Sequence, residues 1–415
     1  VGKRKHRASW IRRHAKLVVG IYVALVVSSQ VFQVFWPEEE AEGPENLTFV
    51  EVGGKRLAYR EWGGADARKD PLILLHGSPS RGSVEFEALG EALAVEGRRV
   101  IAIDRWGFGD SEPWVKDYSF EADAKAVLGL MDQLGIRTAH VGGWSYGGAP
   151  AIQLAQEHPG RIRSVTLLAA MGDQKGEGSG DYYIEHTKYA GLFVVAMGLP
   201  ELLPHFGVLG SRSFRYAFVR DFWDADQRRV GWQLQEVKAP VLIIHGKSDA
   251  LVPAWVGQRH HLLKPNSRLV VLDGGHFFPM ARKSKNFGMA TEEMGVFLAA
   301  VEGGKGGAVN GVRNETGRQN LRALWDGGPS LRGPKNWWAL LALGALLGFF
   351  VPRTGAALAG LAGGLLVVDL VAGLGCVAIG AMIRRGESTR PRKCGLVAVW
   401  GVAAAILAAL LLGVF

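Results

Sequence analysis

At 415 residues the chain exceeds one ordinary domain, and its composition is divided: residues 47–300 mix charged, aromatic and apolar side chains, whereas both ends are dominated by apolar stretches. The net charge of +9 has a local source, because seven Lys or Arg fall within the first sixteen residues and five more within 384–393. Both clusters flank apolar runs, as basic residues do on the cytoplasmic side of a bilayer; without a stacking-aromatic or zinc motif beside them they exclude a nucleic-acid partner, and two cysteines, Cys376 and Cys394, exclude a disulfide framework.

The basic block at 3–16 leads into an apolar run at 17–36. About twenty helical residues rise about 30 Å, the thickness of a hydrocarbon core. The run is longer than a usual signal core and no small-x-small site comes after it, so a signal anchor is expected, with a cleaved signal peptide as its competitor. Positive-inside orientation then sends the chain beyond Trp36 out of the cytoplasm. Residues 37–46 read as an acidic tether.

Strand and helix signals alternate from there. Strands are expected at 47–52 and 56–62, joined by Gly53-Gly54, and at 71–75, 99–103, 138–141 and 165–168. Helices are expected at 83–95, 120–134 and 146–157. The rhythm breaks over 174–236 and resumes with strands at 240–244 and 269–272 and helices at 256–263 and 291–301. Alternation of this kind predicts an α/β fold with a mostly parallel central sheet covered on both faces. Residues 302–335, rich in Gly, Arg, Asn and Asp, read as a linker. Apolar blocks at 337–351, 355–383 and 396–415 predict a C-terminal membrane region.

The sharpest chemical signal is Gly143-Trp144-Ser145-Tyr146-Gly147, set between an expected strand and an expected helix. So sharp a turn needs small flanking residues and lifts the serine hydroxyl above the sheet. The serine needs a base. His276, after the last core strand in Asp273-Gly274-Gly275-His276, fits that role. His260 and His261 read as surface residues of a helix, His245 as a packing or loop residue, and His158 as a helix-end residue. Asp249, on the loop after the strand at 240–244, is the expected acid that fixes the imidazole tautomer, with Asp273 and Asp173 as alternatives. The order Ser145, Asp249, His276 is one that recurs among serine hydrolases. Oxyanion donors are expected from the backbone N–H of Tyr146 and, in the loop His76-Gly77-Ser78-Pro79, from that of Ser78, since Pro79 has none.

Together, His76-Gly77-Ser78-Pro79, the segment from Asp104 to Ser111, the serine elbow, Gly246-x-x-Asp249 and Gly-Gly-His276 resemble the α/β-hydrolase fold family over residues 47–300. The resemblance implies that 174–236 is a helical lid, that the segment from Asp104 to Ser111 is structural, and that Ser145 excludes the aspartate-dependent dehalogenases and epoxide hydrolases. It makes the expected division 1–36 signal anchor, 37–46 tether, 47–301 hydrolase domain, 302–335 linker and 336–415 membrane region. A carboxylic ester, lipid-like or small, is the expected substrate, with a lipid bilayer as partner and no metal or other cofactor. The competing readings are carbon–carbon bond hydrolysis of a diketone, and a transport or scaffold protein with an accessory hydrolase domain.

Overall fold

A computed structural model of the chain describes residues 2–35, 46–64, 69–95, 97–205, 210–306 and 310–313. The chain divides into two compact units. The first contains α1 (Gly2–Phe35) and the short segment that begins at Leu199. Within α1, His14–Val31 is long and apolar enough to cross a membrane, the one such helix among the described residues. Leu17, Val18, Val19, Val23 and Val27 are exposed along it. In the same unit the Tyr22 hydroxyl donates to the Leu202 carbonyl, and the Gln30 amide donates to that of Glu201 at 3.2 Å. The C-terminal apolar blocks lie outside the described residues.

The second unit is built on a sheet of nine described strands: β1 (Leu47–Val52), β2 (Lys55–Trp62), β3 (Leu72–Leu75), β4 (Val100–Ile103), β5 (Ala139–Trp144), β6 (Ile162–Leu168), β7 (Val241–Gly246), β8 (Arg268–Leu272) and β9 (Gly311–Val312). Their order is β1-β2-β4-β3-β5-β6-β7-β8-β9. Gly53 and Gly54 both have positive φ, 58° and 74°, which lets the first two strands close as a tight antiparallel hairpin. From β4 onward all pairings are parallel. The central strands are short apolar runs buried on both faces, as in Leu-Ile-Leu-Leu of β3 and Val-Ile-Ala-Ile of β4. Helices α2 (Glu87–Ala94) and α9 (Lys285–Glu302) cover one face through Leu89, Leu93, Met294 and Phe297. Helices α3 (Phe120–Gln133), α4 (Gly148–Glu157) and α8 (Ala254–Leu263) complete the α/β alternation.

The stretch at 174–236 is a helical insertion between β6 and β7, with α5 (Tyr182–Gly198), α6 (Arg212–Asp224) and α7 (Val230–Glu236). Of its aromatic residues, Phe222 is buried and Tyr183 is 72% exposed, while Phe206 lies outside the described residues.

The structure departs from the expected elements in four places. The helix expected at 83–95 opens as a 3-10 turn, Ser83–Phe86, before α2. The closing helix starts earlier, at Lys285, because the Ser284 hydroxyl caps it by accepting from Phe287 N at 3.1 Å. The expected linker contains a strand: β9 lies parallel to β8, with Gly311 opposite Arg268. His260 and His261 are buried rather than superficial, because α8 turns its inner face toward β7 and β8. Burial holds the pKa of both imidazoles down, His260 to about 4.

Candidate active site

Parallel strands bring the loops at their C-terminal ends to one edge of the sheet. The loops after β3, β4, β5, β7 and β8 carry His76–Ser78, Arg105, Ser145, Asp249 and His276 respectively.

Ser145 sits where β5 breaks into a 3-10 turn and α4, with φ of 55°. A non-glycine residue in that region is strained, and the surrounding structure must hold it there. The flanking glycines explain how. A Cβ on Gly143 would lie 2.1 Å from the Gly147 carbonyl oxygen, and one on Gly147 would lie 2.3 Å from that of Leu75. Only glycines allow the turn to close on itself and dock against β3.

Asp249 and His276 are joined directly. His276 Nδ1 lies 2.7 Å from Asp249 Oδ2, and Asp249 Oδ1 accepts from the amides of Leu251 at 2.9 Å and Val252 at 2.8 Å. Burial by itself pushes the Asp249 carboxyl up. Hydrogen bonds from His245 and His276 outweigh it and hold the group well below the usual carboxylate range. An ionised acceptor puts the His276 proton on Nδ1 and leaves Nε2 as the basic nitrogen. The His276 ring lies 5.2 Å from that of Trp144, whose indole donates to the His276 carbonyl at 3.1 Å. The imidazole is thus fixed against the residue preceding Ser145. No hydrogen bond links the Ser145 hydroxyl to His276 among the described residues; such bonds are often open without substrate.

Of the alternative acids, Asp173 is engaged elsewhere, and no contact to His276 is seen for the Asp273 carboxylate among the described residues. Asp173 pairs with Arg259 and accepts from Lys175 N at 2.8 Å, while the Asp273 carbonyl receives the Asn286 side chain. Asp173, Lys175, Arg228 and Trp232 line a separate polar cleft of about 340 Å³.

Of the two expected oxyanion donors, Ser78 N–H donates to no acceptor among the described residues. It comes directly after Gly77, where a Cβ would lie 3.0 Å from that of Ser145. Tyr146 is fully buried, and its hydroxyl donates to the carbonyls of Asp221 at 3.0 Å and Tyr118 at 3.3 Å. Its amide lies in the first turn after Ser145, where N–H groups lack intrahelical partners.

Two polar groupings escape a reading of the sequence. His245 Nε2 stands 3.5 Å from Asp249 Oδ2 and 2.8 Å from the Val252 carbonyl, so the acid is flanked by two imidazoles. The spacing His245-x-x-x-Asp249 across a strand-to-loop turn is the signal that could have found it. Arg105 is buried between Asp123 and Asp221, at 2.7 Å from each. Burial alone would favour loss of its proton; the two carboxylates more than offset this and hold it cationic. Nothing local in the sequence links Asp221 to Arg105. The rest of its loop is structural: Asp104 accepts from Asp110 N at 2.8 Å and from Ser83 N, and Ser111 bridges to Ala58 N at 2.8 Å.

The alpha/beta hydrolase fold family matches this chain over residues 70–188. The chain is 32% identical over 265 residues to a 2-hydroxy-6-oxononadienedioate/2-hydroxy-6-oxononatrienedioate hydrolase of Paraburkholderia phymatum, across 56% of this chain and 88% of that one. It is 29% identical over 213 residues to a pimeloyl-(acyl-carrier protein) methyl ester esterase of Neisseria meningitidis serogroup C, across 45% of this chain and 79% of the other. Among solved structures, a membrane phospholipase A described as a bacterial virulence factor aligns with TM-score 0.50 and 20% identity, covering 70% of this chain and 96% of that one, which is a likeness of fold alone. The chain belongs to the α/β-hydrolase fold family, in which the oxononadienedioate hydrolase and the methyl ester esterase it resembles are hydrolases.

Proposed function

We propose that the protein is a membrane-anchored serine hydrolase that cleaves carboxylic esters through an acyl-enzyme. The observation that carries this reading is the strained Ser145 turn beside the hydrogen-bonded Asp249–His276 pair. His276 Nε2 takes the Ser145 proton as the hydroxyl attacks the ester carbonyl, and the tetrahedral oxyanion is held by the amides of Ser78 and Tyr146. His276 then protonates the departing alcohol. A water, deprotonated in turn by His276, releases the acid and restores the serine. Asp249 stays ionised throughout and stabilises the imidazolium.

The similarity to a methyl ester esterase supports an ester substrate. The apolar span of α1 supports the anchor, and the division at 37–46, 47–301, 302–335 and 336–415 belongs to the same proposal, with 174–236 as lid. A lid whose outer face is apolar suits a lipid-like ester. A second reading, hydrolysis of a carbon–carbon bond in a diketone, is favoured by the likeness to the oxononadienedioate hydrolase and uses the same serine.

The test is fluorophosphonate labelling of the detergent-solubilised full chain, with p-nitrophenyl esters of graded chain length and Ser145→Ala as control. Labelling and turnover that vanish together in the variant are expected. A folded protein that neither labels nor turns over ester would overturn the acyl-enzyme. Labelling with turnover of diketones alone would select the second reading.

A further inference from the structure

The oxyanion donor proposed at Ser78 is one end of the Gly77–Ser78 peptide, and the other end of that peptide is unusually well held. In a trans peptide the carbonyl and the N–H point in opposite directions. The Gly77 carbonyl oxygen receives Arg105 Nη1 at 3.2 Å and His76 Nδ1 at 2.8 Å. His76 Nε2 accepts the Arg105 backbone N–H at 2.9 Å, which fixes the imidazole as the neutral Nδ1–H tautomer. Both lone pairs of one carbonyl are therefore filled, one by a buried cation.

The same guanidinium reaches the second proposed donor. It lies 4.1 Å from the centre of the Tyr146 ring, and Tyr146 is tied by its hydroxyl to the Asp221 carbonyl. Asp221 in turn binds Arg105 through both carboxylate oxygens, at 2.7 and 3.2 Å, and Asp123 takes Nε at 2.7 Å. One planar fork thus spans the loop after β3, the residue after the nucleophile, α3 and α6.

We propose that Arg105, assisted by His76, is a positioning residue for catalysis: it locks the Gly77–Ser78 peptide so that the Ser78 N–H faces the developing oxyanion. This rests on the oxyanion role proposed for Ser78. A cation donating to the carbonyl also polarises the peptide and strengthens its N–H as a donor. A lysine gathers its three donors on one nitrogen and lacks the planar fork whose Nε, Nη1 and Nη2 reach Asp123, Gly77 and Asp221 at once. The test of this is Arg105→Lys in the full chain, read with p-nitrophenyl butyrate and with butylboronic acid as a tetrahedral mimic.

Because the lost interaction is made in the transition state, kcat falls roughly 10- to 100-fold with KM nearly unchanged, and boronate affinity falls in parallel. Asp221→Asn, which cuts the tie to α6 but leaves Arg105 on Gly77, loses less. An Arg105→Lys protein with native kcat, or one that loses only KM or melting temperature, overturns the proposal. Should Arg105→Lys fail to fold, His76→Asn and His76→Leu decide. Both lose the acceptor for Arg105 N–H, but only Asn keeps a donor near the Gly77 carbonyl, so His76→Asn retains the higher kcat; equal rates overturn the idea. A wild-type protein that does not label with fluorophosphonate fails at the earlier step, and the Ser78 role falls with it.

Discussion

Along β3 and β4 every side chain is apolar and buried, and chemistry begins only where the strands end. The helical insertion between β6 and β7 mixes the two: beside buried apolar residues such as Phe218 and Phe222 it buries acids and exposes apolar side chains. Glu177, Glu185 and Asp221 are buried within it, whereas Tyr183, Val194 and Val195 are 72%, 69% and 54% exposed. Glu185 accepts from Ser179 N at 2.8 Å and pairs with the Lys188 ammonium at 2.6 Å, and Asp221 pairs with Arg105. Buried charge survives only with partners of this kind. The sheet edge is a rigid mount whose energy comes from apolar burial. The insertion is held inward by these polar contacts together with buried apolar residues such as Phe218, Phe222 and Leu234, and it also turns apolar surface outward, as surfaces that meet a partner or a membrane do.

Breaking the sheet edge should have the largest consequence. Ser145→Ala is expected to reduce ester turnover by roughly 10⁴-fold or more, with melting unchanged, measured on p-nitrophenyl butyrate. Asp249→Asn, which removes the charge but not the shape, should lower kcat by roughly 10³- to 10⁴-fold, since the acceptor that sets the His276 tautomer is lost; a loss below tenfold would show that His245 or a backbone group does this work instead.

The insertion is probed through its acids. Burial, opposed by hydrogen bonds from Tyr189 and Gln174, raises the Glu177 pKa from 4.5 to about 7. Between these values the folded protein holds the proton that the unfolded chain releases, so stability falls as pH rises through that window and stays lower above it. Glu177→Gln should flatten this dependence and gain up to about 3 kcal/mol at alkaline pH, read from denaturation midpoints on either side of the window. The smallest effect is expected on the outer face: Val194→Asp should leave soluble-ester turnover alone and reduce turnover of esters in vesicles by roughly tenfold, the equivalent of about 1.4 kcal/mol of lost apolar contact.

The same contrast explains how much of the molecule is legible in the sequence. Strand runs such as Leu72–Leu75 and Val100–Ile103 announce themselves by continuous apolarity, and the loops at the ends of such strands carry Ser145, Asp249 and His276 at recognisable spacings. His260 and His261 mislead because polar side chains on a helix suggest solvent, and burial of neutral imidazole leaves no trace in the pattern. Arg105 with Asp221, 116 residues apart in the chain, is a tertiary pairing with no local signature. Strand β9 is only two residues long and too short to show a period.

That strand has a mechanical consequence. It is clipped to β8 by Gly311 N–H on the Ser267 carbonyl at 2.9 Å and Arg313 N–H on that of Leu269 at 3.0 Å. Tension arriving along the chain from beyond Arg313 meets these two bonds at the outer margin of the sheet before it meets any strand that carries Ser145, Asp249 or His276. Under load applied at Arg313, these two bonds are expected to open before the strands leading into Ser145, Asp249 and His276 part, so that the clip works as a fuse.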